Sequence, residues 1–439
     1  MTQLVGPQSP DPLSDEDAKQ PPTPKLFEVL GPGLVTGASD DDPSGIATYS
    51  QAGAQFGYSL GWTLIFSYPL MCAIQCISAD IGRVTGHGIA GNLRRYYPAW
   101  ILYSLVALLI LANTINIGAD IGAMGAGLNL LIGGPILAYV GGFAMLSIVL
   151  EVFVRYSRYV FVLKWLTLSL FAYVATVFIV HMPWETVMRE LVWPHIQWNG
   201  AYLTVIVAIF GTTISPYLFF WQAGAEVERE QEIRGPNILK HTPEKAFAEL
   251  RRIKLDTYVG MAFSNLVALF IVLTVAATLH AHGITDIQTS AQAAQALEPI
   301  AGHLASAVFA VGIIGTGLLA LPVLAGSAAY GLGEALKWPV GLARKPRKAK
   351  AFYATIAVAT LIGSLLNFTS IDPIKALFWS AVLNGVVAVP IMVMLMIMAS
   401  NPKVMGQYAI GMGLKTVGWI ATAVMFLVAI GMFATWNTQ

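Results

Sequence analysis

Two tetrads, Asp42-Pro43-Ser44-Gly45 and Ile214-Ser215-Pro216-Tyr217, interrupt hydrophobic runs that are each long enough to cross a bilayer. Backbone in lipid cannot leave its N–H and C=O groups unpaired, so unwound chain at membrane depth survives only where it lines a cavity or binds something. Asp42 places a carboxylate in the first break, and a carboxylate beside proline at mid-membrane is functional by default. The half-helices before the breaks end near Asp41 and Thr213, and both aim free carbonyls and the negative ends of their dipoles at the midplane. That chemistry favours a cation and disfavours an anion.

The donor set narrows the cation. The break regions hold no Met, Cys or His, and the seven histidines (87, 181, 195, 241, 280, 282, 303) fall in loops or near span ends. What remains is oxygen: Asp42, Ser44, Thr212, Thr213, Ser215 and backbone carbonyls. Oxygen-only sites suit magnesium, calcium or manganese. A magnesium ion retains several waters, and Asp40, Asp41, Gln51, Gln55, Asn113, Asn116, Gln222 and Asn384 are candidates to bind those waters as an outer shell. Each has a structural alternative: intramembrane amides also join helices, and Asp40 and Asp41 also suit local caps or pairs. Asp120 either lines a vestibule or pairs structurally. Glu226 and Glu228 are expected to pair with Arg229, Arg251 or Arg252. Cys72 and Cys76 are read as small residues packing on one helix face.

The elements that must position these groups follow from composition. The chain has 439 residues, is 56% hydrophobic and only 11% charged, far below the roughly 25% charged residues of soluble domains. Its mean hydropathy is +0.66. This is an all-α polytopic membrane protein. Eleven spans are expected near 28–57, 60–82, 99–131, 133–153, 158–181, 201–228, 253–280, 302–336, 350–367, 372–399 and 414–436. With the N-terminus in the cytoplasm, 23 of the 25 Lys and Arg residues fall on the cytoplasmic side, and only Arg189 and Lys375 fall outside. The C-terminus is then extracellular. Spans one to five and six to ten have opposite orientation, each set opening on a broken helix, which is the pattern of an inverted repeat with an extra helix.

The domain expectations are a disordered cytoplasmic tail over 1–26, a first repeat over 27–182, an extracellular connection over 183–200, a second repeat over 201–400, and the eleventh helix with the C-terminus over 401–439. The polar, Pro- and Asp-rich start has no apolar core of a cleaved signal. No basic run is interleaved with aromatics, which argues against nucleic acid. No phosphate loop, His-rich metal motif or nucleophile elbow argues for an enzyme. No resident cofactor is expected, a monomer is plausible, and the partners are the bilayer and the transported ion.

Residues 42–58, Asp-Pro-Ser-Gly-Ile-Ala-Thr-Tyr-Ser-Gln-Ala-Gly-Ala-Gln-Phe-Gly-Tyr, resemble the first-helix signature of the natural resistance-associated macrophage protein (NRAMP) family. Leu128–Leu131, Asp256-Thr257 with Asn265, Asp286-Ile287-Gln288 and Leu297-Glu298-Pro299 resemble that family too. The resemblance implies divalent-metal transport at a plasma membrane on a LeuT-like fold, with the carbonyls of Ser39 and Thr212 facing the ion. It also marks departures. The family's Asp-Pro-Gly-Asn is here Asp42-Pro43-Ser44-Gly45, and its Met-Pro-His is here Ser215-Pro216-Tyr217. A proton-linked Asp…Glu pair aligns with Ile117 and Asp120. These changes resemble the divergent NRAMP-related magnesium transporters, and the small residues Gly45 and Ser215 leave room for a partly hydrated ion.

The expectation is therefore uptake of Mg²⁺ by alternating access without proton coupling. The alternatives are a proton-coupled Mn²⁺/Fe²⁺ importer or an organic solute carrier on the same fold.

Overall fold

The computed structural model describes residues 32–154, 167–234, 243–369 and 371–436, and the tail expected over 1–26 lies outside them. Among the described residues the chain is helical, without strands. The first broken span is α1 (Pro32–Asp40) and α2 (Pro43–Phe56). A turn at Gly57–Leu60 leads into α3 (Gly61–Thr85), and the short α4 (Ile89–Tyr96) precedes α5 (Ala99–Ile132) and α6 (Ile136–Phe153). Next come α7 (Phe171–Ile179) and α8 (Trp184–Val192). The second broken span is α9 (Gly200–Thr213) and α10 (Pro216–Arg234). The principal helices that remain are α11 (Pro243–Thr278), α12 (Ala305–Ala335), α13 (Lys350–Ser364), α14 (Pro373–Ser400) and α15 (Met412–Ala434).

Among the described residues nine helical runs are long and apolar enough to cross a membrane, or ten if the bent pair at 168–192 forms one span. The run Pro43–Thr85 counts once there although it carries the second half of the first expected span and all of the second. The fifth expected span, 158–181, begins among residues outside the described set. Large apolar side chains such as Phe66, Trp100, Phe153, Phe178, Leu427 and Phe433 face outward, as a lipid-embedded surface requires.

Both breaks have a local cause. Proline has no N–H and disfavours helix in the residue before it. Asp42 accordingly adopts φ −70°, ψ 171°, and Pro43 opens α2 at its first turn. At the second break α9 ends at Thr213, Ile214 leaves the helical region (φ −120°, ψ 55°), and Pro216 begins α10.

The two broken spans run antiparallel with their breaks side by side. Along α2 and α9, the Thr212 hydroxyl bonds the Tyr49 hydroxyl at 2.9 Å, while the rings of Phe56 and Tyr202 meet edge-on with centroids 5.2 Å apart. Along α1 and α10, Thr36 bonds Gln222 and Ser39 bonds Tyr217. In each pair one residue number rises as the other falls, which is the relation an inverted repeat requires.

α11 supports this centre. Asp256 accepts from the backbone N–H groups of Gly33 (2.8 Å) and Leu34 (3.1 Å), satisfying donors that α1 leaves open at its start. Arg252, one turn earlier, bonds Glu226 of α10 at 2.6 Å and stands 3.8 Å from Asp256. The expected pairing of Glu226 with Arg252 is thus present, whereas Glu228 bonds the Tyr330 hydroxyl and the Ala343 N–H. Cys72 and Cys76 are free thiols buried in α3.

Candidate metal centre

Asp42 uses its two carboxylate oxygens for different tasks. Oδ1 caps α2, accepting from the Gly45 N–H and the Ser44 hydroxyl, both at 2.7 Å. This is an N-cap geometry, which satisfies donors at the start of a helix. Oδ2 faces the junction of the broken spans, where it accepts from the Asn116 amide at 3.1 Å and the Tyr217 hydroxyl at 3.4 Å. One carboxylate therefore restarts the helix and also presents charge to the space between the breaks.

The Asn116 amide nitrogen also lies 3.4 Å from Asp120 Oδ2, and its carbonyl oxygen accepts from Asn384 at 3.2 Å. Helices α5 and α14 thus meet the first break through one amide network. Asp42, Asn116, Asp120, Tyr217 and Asn384 are each at most 1% exposed. Asp120, expected at a vestibule or in a structural pair, is fully buried and shares the Asn116 amide with Asp42.

The carbonyls expected to face an ion are already bonded. The Tyr217 hydroxyl lies 3.3 Å from the Ser39 carbonyl. Ser215 Oγ bonds the carbonyls of Gly211 (2.6 Å) and Thr212 (2.5 Å), so its hydroxyl caps the end of α9. Each hydroxyl hydrogen occupies one of a carbonyl's two lone pairs and so competes with a cation for that oxygen. Ser215 keeps its own oxygen lone pairs for an ion or a water.

Asp40 and Asp41 are directed elsewhere. The Ser264 hydroxyl of α11 bonds Asp40 Oδ2 at 2.5 Å and Asp41 Oδ1 at 3.1 Å. They tie the first break to α11, although Asp40 Oδ1 is buried without a hydrogen-bond partner among the described residues. Gln51 is not brought to Asp42. Its amide lies 3.4 Å from the Thr285 carbonyl, and its Oε1 accepts from the Ile287 N–H at 3.0 Å. Gly45 sits where a side chain would press on Tyr49, 3.2 Å from an added Cβ, and on the Asp40 carbonyl, 3.3 Å away.

Sequence reasoning named Asn116 only among several amides and did not find Ser264 or Tyr49. Tyr217 was legible as a replaced histidine, not as the group joining the two breaks. Among the described residues no cluster of three or more His, Cys, Asp or Glu is arranged to hold a metal. The centre offers one carboxylate with neutral oxygens. Such a set suits a hard dication that binds and leaves better than a permanently held soft metal.

The profile of the natural resistance-associated macrophage protein-like family matches residues 33–435. The chain is 27% identical over 410 residues to the divalent metal cation transporter MntH of Klebsiella pneumoniae, covering 90% of this chain and 91% of that one. It is 26% identical over 416 residues to MntH of Mesorhizobium japonicum, covering 92% and 87%. In structure it is similar to the manganese transporter of Eremococcus coleocola crystallised with an aromatic bis-isothiourea substituted compound (TM-score 0.70, 18% identity, 95% of this chain and 90% of that one). It is also similar to Mhp1, a nucleobase-cation-symport-1 family transporter, in a closed conformation with bromovinylhydantoin bound (TM-score 0.57, 13% identity, 93% of each chain). At these identities the structural likenesses establish the fold alone.

Proposed function

The chain belongs to the natural resistance-associated macrophage protein-like family, and from that premise we propose that it imports divalent metal cations across the cell membrane by alternating access, with Mn²⁺ as the cargo its relatives support. It is a multi-pass membrane transporter of divalent metal cations, not an enzyme, and its helices have the LeuT-like arrangement. The observation that carries the reading is Asp42 Oδ2, a buried carboxylate oxygen between two antiparallel broken helices. The named relatives are MntH proteins and a manganese transporter. They favour manganese over the magnesium expected from the sequence.

Magnesium is the second reading, and the donor set is the observation that favours it. Asp42, Ser44, Ser215 and the carbonyls of Ser39 and Thr212 supply oxygen only, and hard oxygen sites accept Mg²⁺ and Mn²⁺ alike. Proton coupling divides the same way. Asp120, beside Asp42, supports a coupled cycle, whereas Ile117 and Tyr217 supply no further acid or imidazole, which supports an uncoupled one. Charge alone can drive uptake. A dication crossing an inside-negative membrane gains about 4.6 kcal/mol per 100 mV. The cytoplasmic N-terminus and extracellular C-terminus rest on the distribution of Lys and Arg.

The test is flux into proteoliposomes with Mn²⁺, Mg²⁺, Ca²⁺ and Cd²⁺ side by side, with lumenal pH followed at the same time. Mn²⁺ uptake with lumenal acidification supports the coupled manganese reading. Mg²⁺ uptake at constant lumenal pH replaces it with the uncoupled magnesium reading. Wild-type protein that moves none of the four ions overturns both.

A further inference from the structure

Two cavities flank the buried centre along the broken spans. One, of about 220 Å³, lies beside α10 and is lined in part by Glu228, Tyr330 and Glu334. Its acids are engaged: Glu334 accepts from the Gly88 and Gly91 N–H groups at 2.7 and 2.9 Å, and Glu228 holds Tyr330 and Ala343. The other, of about 270 Å³, lies between α2 and the start of α14 and is lined in part by Ala47, Gln51, Gln55, Asp286, Lys375 and Trp379.

The second cavity borders the helix that Asp42 caps. Ala47 lies three residues along α2 from Ser44, about 4.5 Å of helix rise. The opposite wall belongs to α14, which also carries Asn384 into the Asn116 network. Six waters occupy about 180 Å³ at their liquid volume, less than the cavity's volume of about 270 Å³. Gln51 works as a clip in this wall, with its amide and its carbonyl both bonded to the 285–287 segment that carries Asp286. Asp286 itself accepts from Gln288 at 3.0 Å, and both Asp286 and Lys375 are exposed to solvent.

We propose that this cavity is an antechamber in which a hydrated dication waits, and that the opposed charges of Asp286 and Lys375 set how fast it is captured. The proposal rests on the transport reading. Lys375 repels a dication twice as strongly as a monovalent ion, and Asp286 attracts it in the same ratio. Lys375 therefore holds capture below its electrostatic ceiling and makes it sensitive to salt, because exposed charges are screened beyond about 10 Å at 0.1 M ionic strength.

The experiment measures initial Mn²⁺ and Mg²⁺ uptake at sub-saturating concentration in proteoliposomes, at low and high ionic strength. Lys375→Gln is expected to raise the low-salt rate roughly two- to five-fold, with the gain shrinking at high salt and the saturated rate unchanged. Asp286→Asn is expected to lower it by a similar factor, and Lys375→Arg to match wild type. Elution of each variant as a single species, as for wild type, confirms folding. Equal rates for wild type and Lys375→Gln at every salt overturn this proposal alone. A wild type that moves neither ion overturns the transport reading together with it.

Discussion

The Tyr217 hydroxyl stands 3.4 Å from Asp42 Oδ2 and joins two chain breaks 175 residues apart in sequence. The same hydroxyl lies 3.3 Å from the Ser39 carbonyl. It covers two of the oxygens that an ion would take, just as Ser215 covers the Thr212 carbonyl. These donors compete with a cargo ion for the oxygens at the two breaks.

Tyr217→Phe follows directly from this. Removing one competitor should tighten ion binding, by up to about 1 kcal/mol or roughly five-fold for a hydrogen bond of this length. Titration calorimetry with Mn²⁺ on the purified variant checks it. A weaker dissociation constant would mean that the hydroxyl is itself a ligand and not a rival of the ion.

Asp42 carries both charge and cap, and two substitutions separate them. Asparagine caps a helix nearly as well as aspartate, whereas alanine loses about 1 kcal/mol at such a position. Asp42→Asn should therefore keep the thermal stability of the wild type yet lose at least a hundred-fold in uptake. Asp42→Ala should lose both. Near-wild-type flux in Asp42→Asn would remove the charge from the mechanism.

The breaks were legible because their cause is local: in Asp42-Pro43-Ser44-Gly45 and Ser215-Pro216 a proline stands among small polar residues within an apolar run. The place of Asp42 at the first break was legible for the same reason. Neighbours brought in by packing were not. Asn116 and Asp120 reach Asp42 only because α5 lies against α2, and nothing in their own spacing announces it. Gln51 looked like a water ligand because it sits in the same helix as Asp42. Nine residues of helix carry it about 13 Å away, to the 285–287 segment. Ser215 reads as a ligand by type, while its position at the end of α9 turns its hydroxyl onto that helix's own carbonyls.

Close backbone approach makes a stability prediction. An added Cβ at Gly37 in α1 would stand 2.2 Å from the Gly260 carbonyl oxygen in α11, and one at Gly211 in α9 would stand 1.9 Å from the Ala381 carbonyl oxygen in α14. Neither neighbour is a flexible side chain. Gly37→Ala and Gly211→Ala should each cost at least 1–3 kcal/mol, the usual range for overpacking. A fluorescence-detected melting curve should fall for both. Gly413→Ala, where an added Cβ meets nothing within 4 Å, should leave it unchanged.

Ser215→Met tests which atoms choose the cargo. The serine hydroxyl bonds the carbonyls of Gly211 and Thr212 at 2.6 and 2.5 Å, so its removal frees a Thr212 oxygen for the ion. Methionine also adds a thioether, a soft donor that prefers Cd²⁺ and late transition metals to Mg²⁺. Ser215→Ala frees the same carbonyl without the sulfur. Because it also removes the Ser215 oxygen, it should change affinity for Mn²⁺, Mg²⁺ and Cd²⁺ by similar factors, whereas Ser215→Met should raise the Cd²⁺-to-Mg²⁺ ratio at least ten-fold over the alanine variant. Competition of Mn²⁺ uptake by each ion measures the ratio, and thermal melting guards against a misfolded centre, because position 215 is fully buried and methionine is larger. If the two variants give the same ratio, residue 215 does not reach the ion, and selectivity must come from Asp42 and the backbone carbonyls alone.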